Sequence, residues 1–237
     1  MQDLRYDLLP EEQAEGLVLS VFLDIRGRLP FVPAIFKALA RDPSVLEPAW
    51  LQARALYDDP RAAEAASRLA SLARPRLAYE PSPAVRKVAA PFAAELPGLL
   101  LVVTSLGLSL NGVHSIREPP SSELPAPEPL PPTPVPELRA EHPLYADIRA
   151  VYGTEHVPSL YKALAAEDVL EEAWAGIGPF LSTREGEQLV ATLEAAAEDE
   201  ARSFPDYAYF AAEDARSVLA QFRVALPRNL VFVAAAI

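Results

Sequence analysis

The chain has 237 residues, of which 33 are acidic and 21 are basic, so it carries a formal net charge of −12. Hydrophobic residues make up 51% and charged residues 23%, a balance typical of globular rather than disordered proteins. The absence of cysteine excludes disulfides, cysteine-ligated metal sites and thiol chemistry. The acidic excess argues against nucleic acid as a partner, because acidic surfaces repel phosphates.

The N-terminal residues lack the basic and apolar regions of a secretory signal. One later segment, from Leu96 to Ile116, contains no Asp, Glu, Lys or Arg and is long enough to span a bilayer. Pro97 and Asn111 interrupt it, so a buried core helix is the preferred interpretation and a membrane span is the alternative. We therefore predict a cytoplasmic protein that does not associate with membranes.

The sequence repeats one pattern twice. Five short blocks recur in the same order, and the only two tryptophans of the chain are matched to each other. The blocks are DIR at 24–26 and 147–149, VP at 32–33 and 157–158, KALA at 37–40 and 162–165, VLE at 45–47 and 169–171, and AW at 49–50 and 173–174. Further on, Arg86, Val88, Phe92, Leu96 and Pro97 recur at a constant spacing as Arg216, Val218, Phe222, Leu226 and Pro227. The agreement predicts an internal duplication.

A proline-rich stretch separates the two copies. Nine of the 22 residues from Arg117 to Leu138 are proline, which fixes φ and cannot donate a backbone hydrogen bond. A semi-rigid linker is the preferred interpretation, and a docking motif for a proline-binding partner is the alternative. We predict a first helical repeat over 1–116, a Pro-rich linker over 117–141 and a second helical repeat over 142–237. The two copies would pair as an intramolecular pseudo-dimer, and two such molecules could associate as a homodimer.

Each copy is predicted to be all-α. Apolar residues from Val32 to Leu39 fall at i, i+3, i+4 and i+7, the spacing of one helix face, and those from Val157 to Leu164 repeat it. Pro33 and Pro158 suit a first helical turn, where the missing amide proton costs nothing.

The helix that follows has a predicted N-cap in each copy, Asp42 in the first and Asp168 in the second. Ser82-Pro83 is expected to start a later helix. Ala-rich runs such as Arg61–Ala73 favour helix, and no segment shows the sustained β-branched alternation of a strand. The pattern predicts about ten helices.

The sequence contains no glycine-rich phosphate loop, no nucleophile elbow and no metal-ligand spacing of histidines, so we predict no cofactor and no metal. The helix starts at Pro33 and Pro158 expose free amides, which attract an anion such as a carboxylate. Aromatic rings next to them could wall a cleft, although core packing is the preferred interpretation of these apolar residues and a binding cleft is the alternative. The candidate substrate-binding residues are Ser159, Leu160, Tyr161, Ile35, Phe36, Trp50 and Trp174.

The block from Phe31 to Trp50 resembles the helical core of the AhpD-like superfamily, which includes thiol peroxidases that use a Cys-x-x-Cys pair absent here. Two such copies joined by a proline-rich connector resemble the group I 2-haloacid dehalogenases (DehI type) over nearly the full length. This resemblance implies hydrolysis of 2-haloalkanoic acids to 2-hydroxy acids in a site between the copies. Water activated by an aspartate attacks the α-carbon and expels halide, without an ester intermediate.

The resemblance also implies where the aspartate stands, in a Ser-Asp-Tyr-like sequence at a helix start of the second copy. This chain reads Ser159-Leu160-Tyr161 there, and leucine cannot take a proton from water. Glu155, His156 and Asp168 are the candidates for a replacement base.

Three functions stay open at this point, and with them the question of whether the protein is an enzyme. The first is a hydrolytic dehalogenase, or a related hydrolase of small carboxylic acids, with an altered catalytic group. The second is a non-catalytic relative that binds a small carboxylate or a fatty acid. The third is a structural or interaction protein of the same fold.

Overall fold

A computed structural model of the chain describes residues 8–111, 123–131, 138–154, 156–205 and 213–237. These residues form ten α-helices and one short 3-10 helix, Glu11–Gln13, and no strand occurs among them. The prediction of an all-α protein with about ten helices is therefore confirmed.

The first five helices are α1 (Gly16–Arg26), α2 (Ala34–Leu39), α3 (Pro43–Tyr57), α4 (Pro60–Leu72) and α5 (Pro83–Leu110). Two of them begin where the sequence predicts. The carboxylate of Asp42 accepts a hydrogen bond from the amide of Ser44 at 3.0 Å, which caps α3. The hydroxyl of Ser82 accepts from the amide of Val85 at 3.3 Å at the start of α5.

The other five helices are α6 (Tyr145–Tyr152), α7 (Ser159–Ala166), α8 (Leu170–Leu181), α9 (Arg184–Ala201) and α10 (Glu213–Ala236). The prediction that Asp168 caps α8 is wrong, because the N-cap is Val169. Asp168 instead has a left-handed φ of 54° and ends α7. The amides of Asp168 and Val169 donate to the carbonyls of Ala165 and Leu164, at 3.2 and 2.9 Å. This pair of bonds is the Schellman arrangement, in which aspartate tolerates the left-handed position better than most residues.

The chain divides into two compact units. The first holds α1, α2 and α3, the start of α4 up to Ala62, the part of α5 from Val102, and the part of α10 up to Phe222. The second holds the rest of α4 and of α5, then α6, α7 and α8, α9 up to Glu200, and the part of α10 from Arg223. Each unit therefore takes helices from both sides of the proline-rich stretch, and α5 and α10 contribute to both.

Apolar stripes of the helices form the core. In α3, Leu46 and Trp50 are fully buried, and in α8, Ile177 is fully buried and Leu170 is 1% exposed. The central residues of α5, from Leu99 to Val103, are all buried as well. Burial of these side chains supplies the hydrophobic free energy that holds each unit together.

Two helices, Pro83–Leu110 and Ala215–Ala236, are long and apolar enough to cross a membrane by length and composition alone. Their most apolar windows are 78% and 50% buried inside the protein, and the first value is typical of a core helix. The cytoplasmic location, the pseudo-dimer arrangement and the role of residues 117–141 as a linker stay predictions.

Candidate functional site

The segment that the sequence singles out begins α7. Pro158 is the N-cap, with extended backbone, and its carbonyl accepts from the amide of Tyr161 at 3.0 Å. The amides of Ser159 and Leu160 precede this bond and belong to the first turn, where a helix offers no internal acceptor. Pro33 has the same role at α2, where its carbonyl accepts from the amide of Phe36 at 3.0 Å.

The position at which the resemblance implies an aspartate is buried and apolar. Leu160 is 2% exposed and Tyr161 is fully buried, whereas Ser159 is half-buried. The hydrocarbon side chain of Leu160 has no atom that can accept a proton. Because the position is buried, an ionised side chain there would lose its hydration.

The candidate binding residues of the first unit pack together. Phe36 and Trp50 are fully buried and meet edge to face with ring centroids 5.3 Å apart. Ile35, next to Phe36 in α2, is also fully buried. These contacts are those of core residues, and a role in substrate binding stays a prediction.

The matched residues of the second unit form a larger aromatic cluster. Tyr161 meets Trp174 edge to face at 5.5 Å and Phe232 at 4.9 Å, and Trp174 is 5% exposed. Edge-to-face pairs of this kind add about 0.5–1.5 kcal/mol each beyond the buried area. As in the first unit, substrate binding by these rings stays a prediction.

The aromatic cluster encloses a chain of buried polar groups. The hydroxyls of Tyr152 and Tyr161 lie 2.5 Å apart, and Tyr152 donates to Oδ1 of Asn229 at 2.8 Å. Burial raises the pKa of both phenols well above the ordinary value. Both tyrosines are therefore neutral hydrogen-bonding groups and poor sources of a phenolate base.

The three candidate bases differ in position. His156 is half-buried just before α7, and Thr154 donates its hydroxyl proton to the carbonyl oxygen of His156 at 3.0 Å. The side chain of Asp168 is 85% exposed and pairs with Arg139 at 3.0 Å. Glu155 lies outside the described residues. Of the two described candidates, only His156 is shielded from water.

Burial and two neighbouring cations determine the charge of His156. Burial, then the charges of Lys162 and Arg149, lower the pKa of His156 from 6.5 to about 4. Burial and the Arg149 charge also lower the pKa of Lys162. The imidazole is therefore neutral at physiological pH, a form that can accept a proton, although a pKa this low makes it a weak base.

In the first unit, the two cations that correspond to Arg149 and Lys162 pair with a carboxylate. Arg26 and Lys37, which correspond to Arg149 and Lys162, share the carboxylate of Glu11 at 3.2 and 2.7 Å. A backbone bond is common to both units, since Leu9 donates to the carbonyl of Lys37 and Arg139 donates to that of Lys162. The cation pair is therefore repeated, whereas the imidazole beside it belongs to the second unit.

Glu95 is a half-buried carboxyl that the sequence analysis did not single out. Burial raises the pKa of its side chain, which moves it towards the range useful to a general base. Glu95 belongs to the same compact unit as Leu160 and His156. A signal was present in the sequence, because Glu95 is the only acidic residue of α5. Among the described residues, no group of three or more His, Asp or Glu side chains could hold a metal ion.

Comparison with known proteins gives matches only among solved structures. No protein-family model matches the chain. No curated protein matches it either. Three similar structures are a D-2-haloacid dehalogenase mutant in complex with D-2-CPA, a D-2-haloacid dehalogenase with L-LA, and a further mutant of the enzyme. Their sequence identities to this chain are 17%, 18% and 18%, each with a TM-score of 0.78, covering 97% of this chain and 94% of theirs. The resemblance to the dehalogenases is thus confirmed by structure, and the chain has the fold of the D-2-haloacid dehalogenases.

Proposed function

We propose that this protein binds small 2-substituted carboxylic acids and hydrolyses 2-haloacids weakly or not at all. The observation that carries the proposal is the buried, apolar side chain of Leu160, which is 2% exposed at the position where the resemblance implies the catalytic aspartate. The fold supports the ligand class, and Leu160 argues against efficient chemistry.

The reaction explains why the substitution matters. When water attacks the α-carbon, a carbon–oxygen bond forms, the carbon–halogen bond breaks, and halide leaves with the bonding electrons. The attacking water must lose a proton to a base, and such a base contributes about 10²–10⁴ in rate. Leucine has no atom that can accept this proton. Asp168 is a poor substitute, because its exposed carboxylate already pairs with Arg139.

A second candidate function is a hydrolase that uses another base. His156 favours it, since its imidazole is shielded and, with a pKa of about 4, neutral at physiological pH. We rank this function second because an imidazole with so low a pKa has little driving force to accept a proton. A structural or interaction role without any small ligand is the third alternative, and ligand-binding measurements test it.

The proposal includes the arrangement that the duplication suggests, two helical copies paired as an intramolecular pseudo-dimer with residues 117–141 as the connector. Five of the described α-helices precede the proline-rich stretch and five follow it, which supports this arrangement. The same proposal includes a cytoplasmic location and the association of two molecules as a homodimer. It includes no nucleic acid, membrane or cofactor as a partner.

Chloride release from 2-chloropropionate by the wild type and by Leu160→Asp, with Leu160→Asn as the matched control, tests the proposal. We expect little or no release by the wild type and by Leu160→Asn, and a gain with Leu160→Asp. Because Leu160 is buried, circular dichroism must show that each variant remains folded. Rapid wild-type turnover that His156→Gln, Glu155→Gln or Glu95→Gln abolishes would overturn the proposal and identify the base.

A further inference from the structure

The buried polar chain in the second unit has a defined direction. Tyr152 donates its single hydroxyl proton to Oδ1 of Asn229 at 2.8 Å, so it cannot also donate to Tyr161. The 2.5 Å bond between the two hydroxyls is therefore donated by Tyr161. The amide oxygen of Asn229 thus accepts from Tyr152, and its Nδ2 group takes no part in this polar chain.

Two N–H donors that have no acceptor in the ranges that the structure describes belong to the α10 end of this polar chain. Among the described residues no acceptor contacts Nδ2 of Asn229, a residue that is 6% exposed. The preceding residue, Arg228, donates from Nη1 to the carbonyl of Val224 at 3.0 Å. Its Nε atom is buried and has no hydrogen-bond partner in the described part of the chain. A buried donor without an acceptor costs about 1–3 kcal/mol, more for a charged group.

The charge of Arg228 acts on Tyr152, the middle residue of this polar chain. Burial, the largest influence, raises the pKa of Tyr152, and the charge of Arg228 acts in the opposite direction. Arg228 and Asn229 are also neighbours along α10, in the same compact unit as Tyr152 and Tyr161. One positive charge and two kinds of N–H donor are thus carried by two consecutive residues of α10.

The polar groups are specific to the second copy. The spacing that matches the two copies pairs each of them with a residue of the first copy that has no polar side-chain atom. The four pairs, first copy then second, are Leu29 with Tyr152, Phe36 with Tyr161, Gly98 with Arg228, and Leu99 with Asn229. The three first-copy side chains are all buried, so the apolar version packs well. Tyr152, Tyr161 and Asn229 form a hydrogen-bonded chain at buried positions where polar groups are costly, and Arg228 adds a partly buried charge beside Asn229 in the sequence. These replacements indicate a role in function.

We propose that Arg228 and Asn229 bind the carboxylate of the small organic acid. A carboxylate supplies the acceptor oxygens that Nε of Arg228 and Nδ2 of Asn229 need, and hydrogen bonds of this charge-assisted kind are the strong ones. Tyr152 and Tyr161 are positioning residues, because they fix the amide with its NH₂ group turned towards the ligand. The inference rests on the proposed function and identifies which groups hold the ligand.

The test is calorimetric titration of the full-length protein with 2-chloropropionate. We expect Arg228→Met and Asn229→Asp to weaken binding at least about 10-fold, as loss of a charge-assisted hydrogen bond should. Asn229→Asp keeps the shape of the side chain but replaces a donor with an acceptor that pairs with Arg228. Arg223→Met is the matched control, since Arg223 lies on the same helix and pairs with Glu198 at 3.6 Å. It should bind as the wild type does.

The uncharged analogue 2-chloropropionamide separates a carboxylate site from general packing. Wild type should prefer the acid, and Arg228→Met should lose that preference. Tyr152→Phe should reduce it too, with an unchanged circular dichroism spectrum, because the amide of Asn229 is no longer held. If the wild type binds 2-chloropropionate and both Arg228→Met and Asn229→Asp bind it equally well, this inference fails alone. If the wild type binds neither compound, this inference and the proposed ligand class both fail.

Discussion

The indole nitrogen of Trp50 donates a hydrogen bond to Oδ2 of Asp24 at 2.8 Å. Trp174 makes the same bond with Asp147, at 2.6 Å. The bonded residues are 26 and 27 positions apart along the chain, and the blocks that contain them meet in space. This contact gives a physical reason for the recurrence of the two blocks together. A buried tryptophan needs a partner for its N–H group, and the aspartate supplies it.

Replacement of either tryptophan should be costly. Trp50 is fully buried and Trp174 is 5% exposed, so we expect Trp50→Ala and Trp174→Ala each to lower the free energy of unfolding by roughly 3–5 kcal/mol. Urea denaturation followed by circular dichroism measures this. Val224→Ala, at a 41% exposed position of α10, is the control and should change it by less than about 0.5 kcal/mol. A loss below about 1 kcal/mol for either tryptophan would contradict its role in the core.

Asp24 should make stability depend on acid pH. Burial raises its pKa, but hydrogen bonds from Arg54 and Trp50, with the charge of Arg28, outweigh burial and hold the pKa below 3.8. A carboxyl with a lowered folded pKa stabilises the protein above its unfolded value and loses that contribution as the pH falls through the folded value.

Comparison of the wild type with Asp24→Asn isolates this contribution. The difference between their free energies of unfolding should be constant above about pH 5 and should shrink as the pH falls below 3.8. The asparagine keeps one oxygen for the Trp50 indole and Arg54, and it loses the negative charge together with the oxygen that accepts from Arg28. A difference that does not change with pH would show that the Asp24 carboxylate is not stabilised by its partners.

His156 should be neutral in the folded protein at physiological pH. Its pKa is lowered from 6.5 to about 4, so the unfolded chain takes up the proton first as the pH falls. Stability contributed by the neutral imidazole is thus complete above pH 6.5 and is lost between 6.5 and about 4. Proton NMR titration measures the pKa directly, with His156→Gln to assign the signal. Titration near 6.5 would contradict the burial of the ring.

Removal of one hydroxyl from the buried polar chain should depend on which hydroxyl is removed. Tyr152→Phe leaves two groups without a hydrogen-bond partner, the O–H of Tyr161 and Oδ1 of Asn229. Each should lower the free energy of unfolding by about 1–3 kcal/mol. Tyr161→Phe removes only one bond, worth about 0.5–1.5 kcal/mol, and restores the residue type of Phe36. Urea denaturation should therefore rank Tyr152→Phe as the more destabilising change. The reverse order would contradict the assigned direction of the chain.

Local signals in the sequence are sufficient to predict the helical class and several features of the helices. The cap at Asp42, the start of α5 at Pro83 and the recurring tryptophans depend on residues near each other in sequence or on burial alone. Asp168 is ambiguous in the sequence, because aspartate suits both a helix start and the left-handed end of the preceding helix, and the structure has the second.

The candidate site was less accessible to sequence reasoning. The segment at Leu160 was identified from the resemblance, and its burial follows from the apolar face of α7. The polar chain depends on Tyr152 and Asn229, which are 77 positions apart, and neither belongs to a motif. The raised pKa of Glu95 likewise arises from burial, which depends on how distant helices pack.

The passage of α5 and α10 through both compact units has a consequence for how the polypeptide can be divided. A cut within the proline-rich stretch would leave each unit assembled from segments of two separate fragments. Neither fragment would by itself contain all the helices of one core, so folding should require that both be present together. A substitution in one half of the gene can therefore be compensated in the other half, because the same core contains residues from both.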